Sequence, residues 1–167
     1  MNLDTETTVR TLVADGKGLL AADETPGTLT KRFDALGIRS TEQTRRAYRE
    51  MLFTAPDAAT SISGVIMQDE TIRQKSSAGT PLAQVLASQG IVPGIKVDTG
   101  AKPLALAPGE TITEGLDGLR DRLAEYRGMG ARFAKWRAVI HIADDLPSGS
   151  CVSANAHALA RYAGLCQ

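Results

Sequence analysis

The sequence has little with which to hold a metal ion or close a structural crosslink. Only two histidines, His141 and His157, and two cysteines, Cys151 and Cys166, occur in 167 residues, and the cysteines fall outside any C-x-x-C spacing. Cys151 with His157 is a poor metal pair, so free thiols and no metal are the expectation. Neither sign of charge is in excess: 19 lysines and arginines balance 19 acids, and the global field therefore gives no support to nucleic-acid or anionic-membrane binding. Any attraction for an anion must be local. No apolar run approaches the roughly 20 residues that cross a bilayer, and the opening MNLDTETTVR lacks the apolar heart of a signal peptide. A cytoplasmic location is expected. Nucleotide loops are missing as well. No G-x-x-x-x-G-K-[ST] occurs, and GKGLLA at 16–21, which matches G-x-G-x-x-A, leads into a strand instead of linking a strand to a helix.

What the chain does have is enough apolar material for one core, 43% hydrophobic against 23% charged residues, and a single domain over 1–167 is the default. Its apolar spacing alternates between helical and strand periods. Leu3, Val9, Leu12 and Val13 predict a helix stopped by Gly16, followed by a strand at 18–23. Ser40 or Thr41 caps a helix whose stripe is Ala47, Tyr48, Met51, Leu52 and Ala55, ended by Pro56. A strand at 63–68 precedes a helix with Thr80 as cap, Pro81 at its first position and Gly90 beyond its end. A strand at 91–98, a helix through Leu116, Leu119, Leu123 and Tyr126 that closes at Gly128 or Gly130, and a strand at 133–140 follow. After LPSGS, Ala156, Leu159, Ala163 and Cys166 predict a last amphipathic helix. Strands alternating with helices predict a parallel α/β sheet with right-handed crossovers.

The strand ends are polar. Asp23 and Glu24 end the first, Gln68 and Asp69 the second, Lys96 and Asp98 the third, Lys135 and Arg137 the fourth, which is the pattern of a barrel rim and not of a nucleotide-binding sheet. In FAKWRAVI (133–140), Phe133, Lys135, Arg137 and Val139 share one face, so two cations sit beside a phenylalanine on a strand that should be buried. One explanation is a site: Lys96, Lys135 and Arg137 donate to phosphate while Asp23 exchanges a proton with a hydroxyl. The other is a structural ion network in which Asp23 and Glu24 neutralise Lys135 and Arg137.

Longer stretches narrow the choice. GKGLLAADETPGTLTKR (16–32), GIKVDTG (94–100), EGLDGL (114–119), GARFAKWRAV (130–139) and NAHALARYAGLCQ (155–167) together resemble the class I fructose-bisphosphate aldolases, in order and over nearly the whole chain. The resemblance implies a (β/α)8 TIM barrel that cleaves fructose 1,6-bisphosphate into two triose phosphates through a lysine imine, in glycolysis, without metal or other cofactor. It implies that Asp23 contacts the hydroxyl whose deprotonation triggers cleavage, that Lys135 supports charge nearby, and that Lys96, Arg32 and Arg45 serve substrate phosphate. Glu24 matches a neighbouring acid, and Thr25 and Thr28 stand where many relatives carry serines. Chemistry alone reads Arg32 and Arg45 as solvated charges on polar helix faces.

The resemblance also implies that relatives continue past Gln167 into further strands carrying acidic groups and the imine-forming lysine. A complete barrel takes about 250 residues, so these residues correspond to about half of one, four strands with helices. Chemistry alone would make Lys135, two residues from Arg137, the imine lysine; the resemblance makes it an electrostatic helper. Three functions stay open: an aldolase, a non-catalytic sugar-phosphate binder, and an interaction module whose half-barrels pair through open edges. A homo-oligomer is expected in either the first or the last case.

Overall fold

The structure, a computed structural model, describes residues 3–167. Along the chain α1 (Leu3–Leu12), β1 (Gly18–Ala22), α2 (Pro26–Asp34), α3 (Glu42–Phe53), α4 (Ala58–Ser61), β2 (Ile62–Met67), α5 (Asp69–Ile72), α6 (Leu82–Ala87), β3 (Val92–Lys96), β4 (Gly100–Pro103), β5 (Thr111–Glu114), α7 (Leu119–Gly128), β6 (Phe133–Lys135) and α8 (Gly149–Cys166) follow one another. Strands β1, β2, β3 and β6 lie side by side in that order in a four-stranded parallel sheet. This is the expected half-barrel pattern, since parallel neighbours need crossovers and helices supply them. Contacts divide the chain into two compact units, one running to Lys96 and including Tyr126–Ala134, the other Val97–Glu125 with Lys135–Gln167.

The first unit holds the sheet. In β2 four of six residues are buried and none is exposed, as a central parallel strand covered on both faces requires. Its Val65 and Met67 pair in register with Leu20 and Ala22 of β1, and Met67 with Ile95 of β3. Leu29, Phe33, Phe53, Leu82 and Leu86 bring the helices into the same core. Gly64 and Gly94 share the other face of the sheet. A Cβ on Gly94 would overlap the Phe133 ring, and one on Gly64 would meet Leu12 at 2.6 Å and Leu19 at 2.9 Å. Gly94 thus makes room for the Phe133 ring, and Gly64 chiefly for Leu12 and Leu19. Phe133 is half-buried there.

In the second unit β4 and β5 form an antiparallel hairpin that packs on α8. Ser148 caps α8, its hydroxyl accepting from the Cys151 amide at 3.1 Å. Asn155 donates to the Thr111 carbonyl at 2.9 Å, which ties the helix to β5 through a buried and satisfied amide.

Several expectations are corrected. The last parallel strand spans three residues, Phe133–Lys135, and not 133–140. Beyond it the backbone bonds to side chains: the Arg137 amide donates to Asp98 Oδ2 at 3.3 Å, and the Arg137 and Val139 carbonyls accept from the Thr113 and Thr111 hydroxyls at 2.7 and 2.9 Å. Those partners replace a strand ladder. The α6 cap is Pro81 instead of Thr80, while Gly90, at φ 77°, takes the left-handed conformation expected after the helix. In α3 the buried residues are Arg49 and Phe53, and Met51 of the expected stripe is 59% exposed. In α8 the predicted stripe is exposed, and Cys151, Asn155 and Ala158 face inward. The hairpin was not expected, and α2 was expected only as the polar helix face carrying Arg32. The side chain of Leu3, placed in the first stripe, lies outside the described ones.

Candidate active site

Asp23 directly follows β1, Lys96 is the last residue of β3, and Lys135 is the last residue of β6. Each is half-buried at the carboxyl end of its strand. That is the end at which open and closed parallel sheets place their ligands. Within the first unit, Asp23 and Lys96 stand on strands separated by β2, two strand spacings or about 10 Å apart. Arg137 lies outside the strand and is exposed.

The acid beside Asp23 is held firmly. One Glu24 carboxylate oxygen accepts from Arg49 Nη1 and the other from Arg32 Nη1. Arg49 Nη2 also donates to the Glu24 carbonyl at 3.0 Å. The network reading had assigned Glu24 to Lys135 and Arg137; the arginines that neutralise it come from α2 and α3 instead. Burial pushes the Glu24 carboxyl up, but the Arg49 hydrogen bond, a backbone bond and the charges of Arg49 and Arg32 together hold it below the ordinary glutamate range.

Thr25 and Thr28 serve the start of α2. The Thr25 hydroxyl accepts from the Thr28 amide at 3.4 Å, and the two hydroxyls are 3.2 Å apart. Pro26 at the first helical position completes a helix start. Both threonines are exposed. Arg45 makes a bidentate pair with Glu70, Nε to Oε1 at 2.8 Å and Nη2 to Oε2 at 2.7 Å, while its Nη1 donates to the Ser40 hydroxyl at 3.2 Å. The cation is therefore matched within the fold. Arg32 differs, because its side chain is 57% exposed and can turn toward a ligand.

Reading the sequence alone missed Arg49 and Glu70. The signal for Arg49 was present in the spacing: Arg45, Arg49 and Phe53 recur every fourth residue of α3, so the face that buries Phe53 must also carry both arginines.

The profile of the family described as fructose-bisphosphate aldolase class-I matches residues 4–167. The chain is 62% identical over 160 residues to a probable fructose-bisphosphate aldolase class 1 from Xanthomonas campestris, covering 96% of this chain and 48% of that protein. It is 54% identical over 152 residues to the cytosolic fructose-bisphosphate aldolase 6 of Arabidopsis thaliana, covering 91% of this chain and 42% of that one. Among solved structures, the fructose-bisphosphate aldolase of Plasmodium falciparum, crystallised with TRAP and a small-molecule inhibitor, superposes with a TM-score of 0.94 at 43% identity, covering 98% of this chain and 48% of that one. The chain thus spans about half the length of the curated relatives it matches. With the family profile running from residue 4 to residue 167, the chain belongs to the class I fructose-bisphosphate aldolases.

Proposed function

We propose that the protein cleaves fructose 1,6-bisphosphate to dihydroxyacetone phosphate and glyceraldehyde 3-phosphate, and that these residues supply the amino-terminal part of the site. The observation that carries this reading is the family match over 4–167 together with Asp23 and Lys96 at carboxyl strand ends of one sheet. In the proposed step Asp23 takes the proton of the hydroxyl next to the breaking carbon–carbon bond. The bond electrons pass into an imine on a lysine outside these 167 residues, and the aldehyde fragment leaves. Lys135 offsets negative charge near the reacting carbons. Lys96 and Arg137 hold phosphate, with Arg32 as the cation free enough to turn from Glu24 to the substrate. Arg45 reaches phosphate only by leaving Glu70, so its part is the weaker one. Thr25 and Thr28 offer hydroxyl donors at the start of α2. The reaction as proposed needs no metal or cofactor, takes place in the cytoplasm, and belongs to a homo-oligomer.

The test is cleavage of fructose 1,6-bisphosphate by the protein as its gene encodes it, and by Asp23→Asn. The variant keeps shape and hydrogen bonding but cannot accept the proton, so kcat should fall about 100-fold or more with KM little changed. Equal losses in binding and turnover would make Asp23 a binding group. Absence of cleavage by the unaltered protein would end the reading.

A further inference from the structure

Arg49 is 1% exposed, which is unusual for a side chain whose charge strongly prefers water. Stability alone does not explain it. An apolar side chain of similar volume is often as stable or more so at a buried ion-pair position, and here the guanidinium is not even fully matched: its Nε has no hydrogen-bond partner. Its ring neighbour is Tyr48, 5.4 Å from the guanidinium carbon. By hydrogen bonds, among the described residues, Arg49 reaches Glu24 by two routes, its carboxylate through Nη1 and its main-chain carbonyl through Nη2.

A residue held at both its carbonyl and its carboxylate has neither a free peptide plane nor a free rotamer. Residue 24 is joined directly to Asp23, just past the end of β1. The strand fixes Asp23 from the amino side, and Arg49 fixes the chain from the carboxyl side. Arg32 on the other carboxylate oxygen is mostly solvated, so it adds little rigidity.

We propose that Arg49 is a positioning residue: it grips Glu24 at two points and so fixes the backbone from which Asp23 presents its carboxylate. The proposal rests on the reading that Asp23 takes the substrate proton. Helix α3 thereby acts on the chemistry without touching substrate, which an interaction held at the ground state and needed at the transition state should reveal in kcat.

The experiment compares the unaltered protein, Arg49→Met and Arg49→Lys, in the protein as its gene encodes it. Arg49→Met should stay folded, lose about 10-fold to 100-fold in kcat and change KM by less than about twofold, since displacements near 1 Å have effects of that size. Amide exchange at Glu24 and Thr25 should quicken while exchange in β2 and β3 stays as it was. Arg49→Lys, which keeps charge and one of the two bonds, should recover part of both. A folded Arg49→Met with unchanged kcat overturns the proposal. If Arg49→Met does not fold, Arg49→Lys carries both readouts, and unchanged kcat and exchange in it overturn the proposal equally. If the unaltered protein does not cleave the sugar, the functional reading falls, and exchange at residues 24 and 25 still decides whether Arg49 grips them.

Discussion

At the scale of single residues, the Glu24–Arg49 pair has an asymmetry that stability measurements can read. Glu24 retains 14% side-chain exposure and a second partner in Arg32, whereas Arg49 is 1% exposed. Removing the acid leaves a buried cation uncompensated. Removing the cation leaves an acid that still has an arginine and some water. Glu24→Gln should therefore cost about 3 kcal/mol at neutral pH, and Arg49→Met clearly less, by denaturant unfolding. The pH dependence follows from the direction of the shift. Because the folded protein holds the Glu24 carboxyl below the ordinary glutamate range, the unfolded chain binds this proton first as pH falls. The pair's contribution is then complete above about pH 5 and drains away as pH drops through the lowered folded value. The melting temperature of Glu24→Gln should show a shallower acid limb than that of the unaltered protein, and parallel limbs would contradict this. Asp23, Lys96 and Lys135 were legible in the sequence because charged residues directly after apolar runs mark strand ends. Arg49 was missed although its spacing to Phe53 carried the signal, since an arginine in a polar helix reads as solvated unless Phe53 is taken to mark the buried face.

Elements were legible where periodicity is strong and illegible where it is short. The four parallel strands stand within one to three residues of expectation, except for the far end of the last, because buried strands read as continuous apolar runs between glycines and acids. FAKWRAVI kept strand composition past Lys135, but composition does not say whether a ladder partner is available; beyond Lys135, threonine hydroxyls and Asp98 bond the backbone instead. The start of α2 was hidden in a loop-like ETPGT, although Thr followed by Pro is a helix start. In α3 and α8 the helices were right and their faces wrong, because a buried arginine and a buried asparagine turned the inward stripe away from the apolar count. Phe133, which the sequence places beside two cations, is explained in part at this scale, since its ring occupies the space that Gly94 leaves on the sheet. Gly94→Ala should accordingly destabilise by about 1–3 kcal/mol through overpacking. Phe133→Leu, which withdraws the ring edge, should relieve it, with a coupling above about 0.5 kcal/mol in a double-mutant cycle. Additive effects would mean that the glycine serves the backbone and not the ring.

At the scale of the molecule, the question is which lysine can form the imine. That chemistry takes an amine in its neutral form, hence a lysine whose pKa lies well below the roughly 10.4 of a free side chain, through desolvation or neighbouring cations. Within these residues the lysine to test is Lys135, half-buried at the end of β6 with Arg137 two residues on. The family reading assigns Lys135 to charge support and the imine to a lysine outside these residues. The two assignments differ in a covalent product. Dihydroxyacetone phosphate with borohydride reduces any imine to a stable secondary amine, so mass spectrometry of a digest reports the lysine directly. The 167-residue chain should give no adduct and no cleavage of fructose 1,6-bisphosphate. An adduct on Lys135 would make these residues a catalyst in their own right and would put the imine at the end of β6, against the family reading.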